Sequence, residues 1–404
     1  MEKACAAENL LRMSRCHSSP FSKEPLLTLL GYMANTESAE QILQGCFEIP
    51  PNTDPYVKAI INQLQRPKPD KCIPKEAPHL SAAKIAAAWK RKRPNTQTDQ
   101  AGFTVTHHIL GSWDPVIAEV DAALHSAPFQ RGFAPPGWLS MTDLELLKKP
   151  GVLDVELMRT IELMNSFFNM CNIMLANMTM ANAEKYRMLS RTQFGCRKFH
   201  MAMAAGNILV NVFDHSRFRR QAIVVTPEDQ AHCFDYLQLG LASLAQRSLG
   251  VPDEPVNMMV EVLQRARRRI STPFGVSEDW YGGDELAEQG KPPMGGSGQG
   301  NGNGPCIYTA EVDKADKVVE LWGAGTLVVA PMTRNLVNLP NIKYVDDNQG
   351  LTSSRCLLDK GEVVIPRAQK ELNDWQQLAA VSGGALNHGK TTCWILDYKW
   401  EKGR

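Results

Sequence analysis

The sequence predicts an α+β fold, and three observations carry that expectation. Stretches of helical spacing and short apolar strands are mixed without a regular βαβ alternation. No internal repeat is visible along the chain. The composition, 43% hydrophobic and 22% charged over 404 residues, is that of a globular protein with one large composite domain or two smaller ones.

Taken in order, residues 1–95 read as a loosely organised N-terminal extension, helical and rich in proline. "SPFSKEPLLTLLGYM" and "DPYVKAIINQLQ" have helical spacing, and "FEIPPNTDP" and "RPKPDKCIPKEAP" connect them. A second unit is expected over 96–404. "SWDPVIAEVDAALHSA" (112–127) predicts an amphipathic helix whose apolar positions are Val116, Ile117, Val120 and Leu124. "WLSMTDLELLKKPG" (138–151) predicts a strand ending in a basic turn. "VELMRTIELMNSFFNMCNIMLANMTMANAEKY" predicts mostly helix, with its methionines filling a core. "QAIVVT" (221–226) predicts a buried strand, and "CFDYLQLGLASLAQRSLG" (233–250) a helix stopped at Gly250. "PVNMMVEVLQRARRRI" predicts a further helix. "GGDELAEQGKPPMGGSGQGNGNGP" (282–305) has the composition of a flexible loop or linker. Near the end, "IKYV" and "TCWILDYKW" predict strands on either side of the helix "AQKELNDWQQLAAVSGG".

Charge and cysteine usage narrow the function classes. A formal net charge of +1 announces no nucleic-acid binder by itself, but "WKRKRP" (89–94), "SRFRR" (216–220) and "QRARRR" (264–269) are local basic clusters. Ten cysteines occur without a C-x-x-C or a paired Cys/His spacing, which argues against a zinc site. No signal peptide and no bilayer-spanning apolar run is found, so no membrane partner is expected, and reduced thiols in the nucleus or cytoplasm are the default reading.

The chemistry concentrates in "NIKYVDDNQG" (341–350). An isolated Asp-Asp pair is ordinarily a solvated turn. It is also what a hairpin tip holding a hard cation requires, provided that a third carboxylate arrives from elsewhere. Asp229, directly after the apolar strand in "EDQAHCFDYL" (228–237), supplies it, and three carboxylates can hold the two Mg²⁺ ions of a phosphoryl transfer. Asp235, six residues on, is expected to be structural.

With these residues in place, the chain resembles the reverse transcriptases of non-LTR (LINE-like) retrotransposons, and divergent protist and algal sequences above all. "YVDD" looks like their catalytic hairpin and "DQAHCFD" like their first palm strand. "PPGWLSMTDLELLKKPG…MRTIEL" (135–163) resembles their fingers and "RTQFGCRKFH" (191–200) the segment before the palm. "GSGQGNGNGP" (296–305) resembles the Gln-Gly loop beside the nucleotide, and "GGALNHGKT" (383–391) the Asn-x-x-Lys segment. The resemblance covers about residues 88–400, is poor between Gly304 and Tyr344, and implies fingers and palm of a right-hand polymerase, with the thumb missing.

What the resemblance implies is RNA-directed DNA synthesis on an RNA template and DNA primer from dNTPs. Asp229, Asp346 and Asp347 would bind two Mg²⁺ (or Mn²⁺) ions, and Lys149 and Arg159 would pair with the triphosphate. Gln299 and Gly300 would lie under the base pair, Phe234 would exclude a ribose 2′-OH, and Lys390 would donate a proton to pyrophosphate. A catalytically inactive, nucleic-acid-binding remnant is the alternative. A third reading is a P-loop NTPase, because "GALNHGKT" (384–391) matches G-x-x-x-x-G-K-T; it needs a strand before the loop and a helix after it. Pro227, two residues before Asp229, could disturb the strand that aims it.

Overall fold

A computed structural model describes residues 1–67, 76–94, 96, 99–330, 332–354 and 360–398. The chain is α+β. Its first 95 residues form α1 (Glu2–Ser14), α2 (Leu26–Leu30), α3 (Glu37–Gln44), α4 (Pro55–Gln63) and α5 (Ala82–Trp89). Local chemistry sets their ends. Asp54 accepts hydrogen bonds from Tyr56 N and Val57 N at the start of α4, where Pro55 needs no donor, and Gly45 closes α3 in the left-handed conformation. These helices are not a loosely organised appendage. Phe21, Leu30, Leu43, Ile61, Leu64, Leu80 and Trp89 lie in the same hydrophobic core as Phe168, Leu244, Met259 and Tyr308.

After α6 (Val105–Gly111) comes α7 (Pro115–Arg131), capped by Asp114. The helix lies where its sequence predicts, but the expected face is reversed. Val116, Ile117, Val120 and Leu124 are all exposed, Val116 at 73%, whereas Ala122, His125, Ser126 and Phe129 pack inward. The inward face stacks Trp89 on His108 and sets both histidines against Asp121, so small and polar residues, not the aliphatic stripe, meet the core.

Two sheets carry the rest. In the first, β1 (Ser140–Leu147) pairs antiparallel with β2 (Met158–Leu163) across a basic turn. Asn165 then caps α8 (Ser166–Lys185), whose Met170, Met174 and Met180 are core residues. The predicted helix over 155–186 is thus a strand followed by a helix. α9 (Ala202–Arg219) leads into β3 (Ile223–Glu228). α10 (Leu239–Ser248) begins six residues later than predicted, because 231–235 form turns, and α11 (Asp253–Arg265) follows. The predicted extension of α11 through "RRRI" does not form. The chain turns at Ala266 into β4 (Arg267–Thr272), parallel to β1, and period-two alternation sends Arg268 into the core and Arg267 and Arg269 over the Trp280 ring. β5 (Gly275–Val276) and β6 (Tyr281–Gly282) complete this sheet, and the short α12 (Glu285–Glu288) follows.

α13 (Gly304–Leu321) then crosses the core to the small ribbon β7 (Thr326–Val329) and β8 (Leu336–Leu339). The second sheet has the order β11-β3-β10-β9, with β9 (Asn341–Tyr344), β10 (Asp347–Ser353), α14 (Gly361–Val381) and β11 (Trp394–Leu396). Among the described residues no helix is long and apolar enough to cross a membrane.

Candidate functional site

The site is built where β3 ends. Ile223, Val224 and Val225 are buried on both faces between β11 and β10, which fixes the strand at the centre of its sheet. Pro227 does not disturb it. The Pro227 carbonyl accepts from Thr392 N just before β11 begins, and the pairing with β10 runs on through Pro227 to Glu228. The last β3–β10 pair is Glu228 with Asn348, and Asp229 and Asp347 each lie one residue beyond it at the same sheet end. Tyr344 pairs with Asp347, leaving Val345 and Asp346 as a two-residue hairpin tip. The three aspartates predicted from sequence therefore arrive at one sheet end.

Electrostatics reflect that proximity. Asp347 has its carboxyl raised, by partial burial first and then by the negative charges of Asp346 and Asp229. Asp346 also accepts a weak hydrogen bond from the Cys233 thiol at 3.6 Å. Beneath them Glu228, fully buried, is pushed up to about 7 by burial, against the stabilising donation from Asn348 Nδ2 at 2.5 Å. The donor set is oxygen-rich and negatively charged, which suits a hard cation. Among the described residues, however, no group of three or more His, Cys, Asp or Glu is gathered closely enough to make a metal site. The nearest positive charge is Lys390, whose Nζ lies 3.2 Å from Asp229 Oδ2.

Lys390 reaches Asp229 because the segment after α14 folds back over the strand end. Ala231 N donates to Ala385 O at 2.9 Å, Asn387 N to Asp229 O at 2.8 Å, and Lys390 N to Asn387 O at 3.0 Å. The same segment tests the P-loop motif. A helix, α14, precedes Gly384 and a strand, β11, follows, the reverse of what a phosphate-cradling loop requires.

Further cations converge from the first sheet. Lys148 has its ammonium lowered by burial first, then by the positive charges of Arg12, Arg159 and Lys390, while Asp235 opposes them. Lys148, Arg159 and Lys390 thus share one electrostatic field. Lys148 and Lys149 are both exposed on this turn. Lys148 and Arg12 are residues that sequence reasoning missed. The doubled lysine of "KKPG" was a signal for the first, but no local signal marks Arg12, which comes from α1 and is 4% exposed, its Nη1 lying 3.8 Å from Asp235. Asp235 is structural, held also by His232 at 3.6 Å.

Phe234 is half-buried with its ring edge-on to Tyr308, centroids 6.0 Å apart, and its carbonyl accepts from Ser297 N at 2.8 Å. That bond ties it to the Gln-Gly loop, which is not the flexible linker its composition suggests. Residues 294–298 are buried. Glu162 N donates to Gln299 O at 2.6 Å, Asn169 Nδ2 to Gly300 O at 3.2 Å, and Gly302 N to Asn169 Oδ1 at 2.7 Å. Gly300 has φ +118°, and a Cβ there would stand 2.4 Å from the Glu162 carbonyl oxygen, so the backbone approach demands glycine. Behind the loop, Arg268 pairs with Glu162 at 3.3 Å, both fully buried, and Tyr281 donates to the neighbouring Asp143. The basic cluster at 264–269 is therefore partly a buried ion pair.

The geometry brings together the ends of β3 and the β9–β10 hairpin, the β1–β2 turn, the 383–391 segment and the 296–303 loop. No family model matches the chain, and no curated protein matches it.

Proposed function

We propose that the chain is a template-directed nucleotidyl transferase of the reverse-transcriptase type, extending a DNA primer on an RNA template. The observation that carries this reading is the convergence, from four separate segments of the chain, of Asp229, Asp346 and Asp347 with the cations Lys148, Arg159 and Lys390. Carboxylates gathered beside cations match a substrate that presents both a nucleophilic hydroxyl and a polyphosphate.

Asp229, Asp346 and Asp347 would hold Mg²⁺ or Mn²⁺, and bound there the two ions would lower the pKa of the primer 3′-OH and offset charge on the leaving pyrophosphate. Lys148 and Lys149 on the β1–β2 turn and Arg159 at the start of β2 bind the triphosphate, Arg159 through its planar fork and the lysines as point charges. Lys390, held by the Asn387 turn, is positioned to give a proton to the leaving group. Phe234 stands beside the sugar, and Gln299 with Gly300 presents a flat backbone under the base pair.

A second reading has its own support. The carboxylates do not close into a ligand cluster, and Lys390 already neutralises Asp229, an arrangement suited to a nucleic-acid binder without turnover. Primer extension on poly(rA)/oligo(dT) with Mg²⁺ separates the two. Extension by the wild-type chain that Asp346→Asn abolishes, with unchanged circular dichroism, is the expected result. Primer–template binding without extension would favour the second reading. Equal extension by the variant would remove Asp346 from the chemistry.

A further inference from the structure

The two-residue hairpin tip is conformationally expensive. Val345 has φ +58°, and the pattern of a positive φ at only the first tip position is one that glycine ordinarily fills. A β-branched side chain there is strained, and such strain persists only where the surroundings over-determine it. The surroundings come from a segment 150 residues away. Thr192–Phe194 lies along β9 as a short parallel neighbour: Lys343 N donates to Thr192 O at 2.9 Å and Phe194 N to Lys343 O at 2.8 Å.

Within that segment Gln193 is completely buried. Its Oε1 accepts from Gly195 N at 2.7 Å and from Val345 N at 3.2 Å, while its Nε2 donates to Val345 O at 3.4 Å. One side-chain amide thus satisfies both backbone groups of the strained residue. Gly195 packs against the tip so closely that a Cβ would stand 2.3 Å from Val345 N. The clamp is itself anchored: Arg197 donates to Gln193 O at 2.9 Å and to Ser190 O at 3.0 Å, and pairs with Glu184 at the end of α8 through bonds of 2.5 and 3.1 Å.

We infer that Gln193 is a positioning residue: it holds Val345 in the left-handed conformation and thereby aims Asp346 and Asp347, which follow it directly. The clamp itself stands on geometry alone, and its consequence for cation binding rests on the polymerase reading above. Removing the amide takes away the partner of Gly195 N, Val345 N and Val345 O and lets the tip relax to an ordinary turn that turns the carboxylates away.

The test uses the full chain, with amide hydrogen exchange at 344–347 and Mn²⁺ titration followed by electron paramagnetic resonance. Gln193→Ala is expected to speed exchange at 344–347 by about tenfold and to weaken Mn²⁺ binding by a similar factor, as loss of a buried hydrogen-bond pair implies. Val345→Gly in the same background is expected to restore most of the Mn²⁺ affinity, because glycine adopts the tip conformation without a clamp; a general loss of stability would not be rescued this way. Should Gln193→Ala fail to fold, Gln193→Met keeps the volume and reads the same exchange. Wild-type exchange at 344–347 in either variant overturns the clamp, and so does a uniform acceleration that Val345→Gly leaves unrescued. Wild-type Mn²⁺ binding that Asp346→Asn does not alter would instead overturn the metal reading, and the exchange data would still decide the clamp.

Discussion

Replacing Arg268 with methionine tests whether the 296–303 loop rests on a buried charge centre. Arg268 and Glu162 are 0% and 2% exposed and 3.3 Å apart, and Asp143 is buried beside them. Both carboxyls are raised, by burial first; for Asp143 the Glu162 charge adds to the rise, and the Arg268 charge opposes it for both. Removing one partner of a buried pair costs about 3–5 kcal/mol, because the charge left behind has no compensation. For a chain of this length, an unfolding entropy of roughly 2.1 cal/mol/K per residue makes each kcal/mol worth about 1.2 °C, so Tm falls by about 4–6 °C at pH 7. The pH dependence follows from the sign of the shift. A carboxyl with a raised folded pKa contributes stability that is fully present below its unfolded value, 4.5 for Glu162, and is lost as pH rises through the folded one. Without Arg268 both carboxyls rise further, so the variant's deficit grows from pH 4.5 upward and is smallest in acid. Differential scanning calorimetry between pH 4.5 and 8 measures it, and Arg268→Met with Glu162→Gln is expected to recover most of the loss. A Tm within about 1 °C of wild type at pH 7, or a deficit larger in acid than at neutrality, would refute the account.

Two further predictions concern the substrate side. If the proposed polymerase reading holds, Phe234→Val is expected to raise ribonucleotide incorporation relative to deoxyribonucleotide in single-nucleotide extension assays; unchanged discrimination would leave Phe234 as a core aromatic only. Lys148→Ala is expected to raise the KM for dNTP by about tenfold, the cost of one charge-assisted contact, and Lys149→Ala by less, and steady-state kinetics in which Lys149→Ala has the larger effect would reverse the assignment.

What the sequence made legible follows from how local each signal is. The run Ile223–Val225, the doubled aspartate and the basic turn each carry their own chemistry, so β3, the β9–β10 hairpin and the β1–β2 turn lie where the pattern puts them. The outward stripe of α7 was misread because periodicity identifies an apolar face without identifying what covers it. The glycine-rich loop was ambiguous for a related reason. Glycines serve a free linker and a backbone pressed against another strand equally well, and only the Glu162 carbonyl 2.4 Å from a hypothetical Gly300 Cβ distinguishes them. Arg268 looked like one of a solvated basic run because its partner lies 106 residues away. Gln193 was visible within a motif, but its bond to Val345 spans 152 residues and leaves no trace in local spacing.

The pairing of β1 with β4 has a consequence for how the molecule comes into being. These parallel neighbours are separated by more than 100 residues, and α1 packs on β4 and β6 later still. At about 5–20 residues per second, a ribosome that has finished β1 needs roughly 6–25 s more before β4 has been made. Until then Cys5 and Met158, which pack on each other, lack Ile270, the third buried member of their small apolar cluster. The nascent chain therefore passes through a long window in which a strand edge and an amphipathic helix wait for sequence not yet translated. Slow, non-local closure of this kind is when edge-to-edge aggregation competes best with folding.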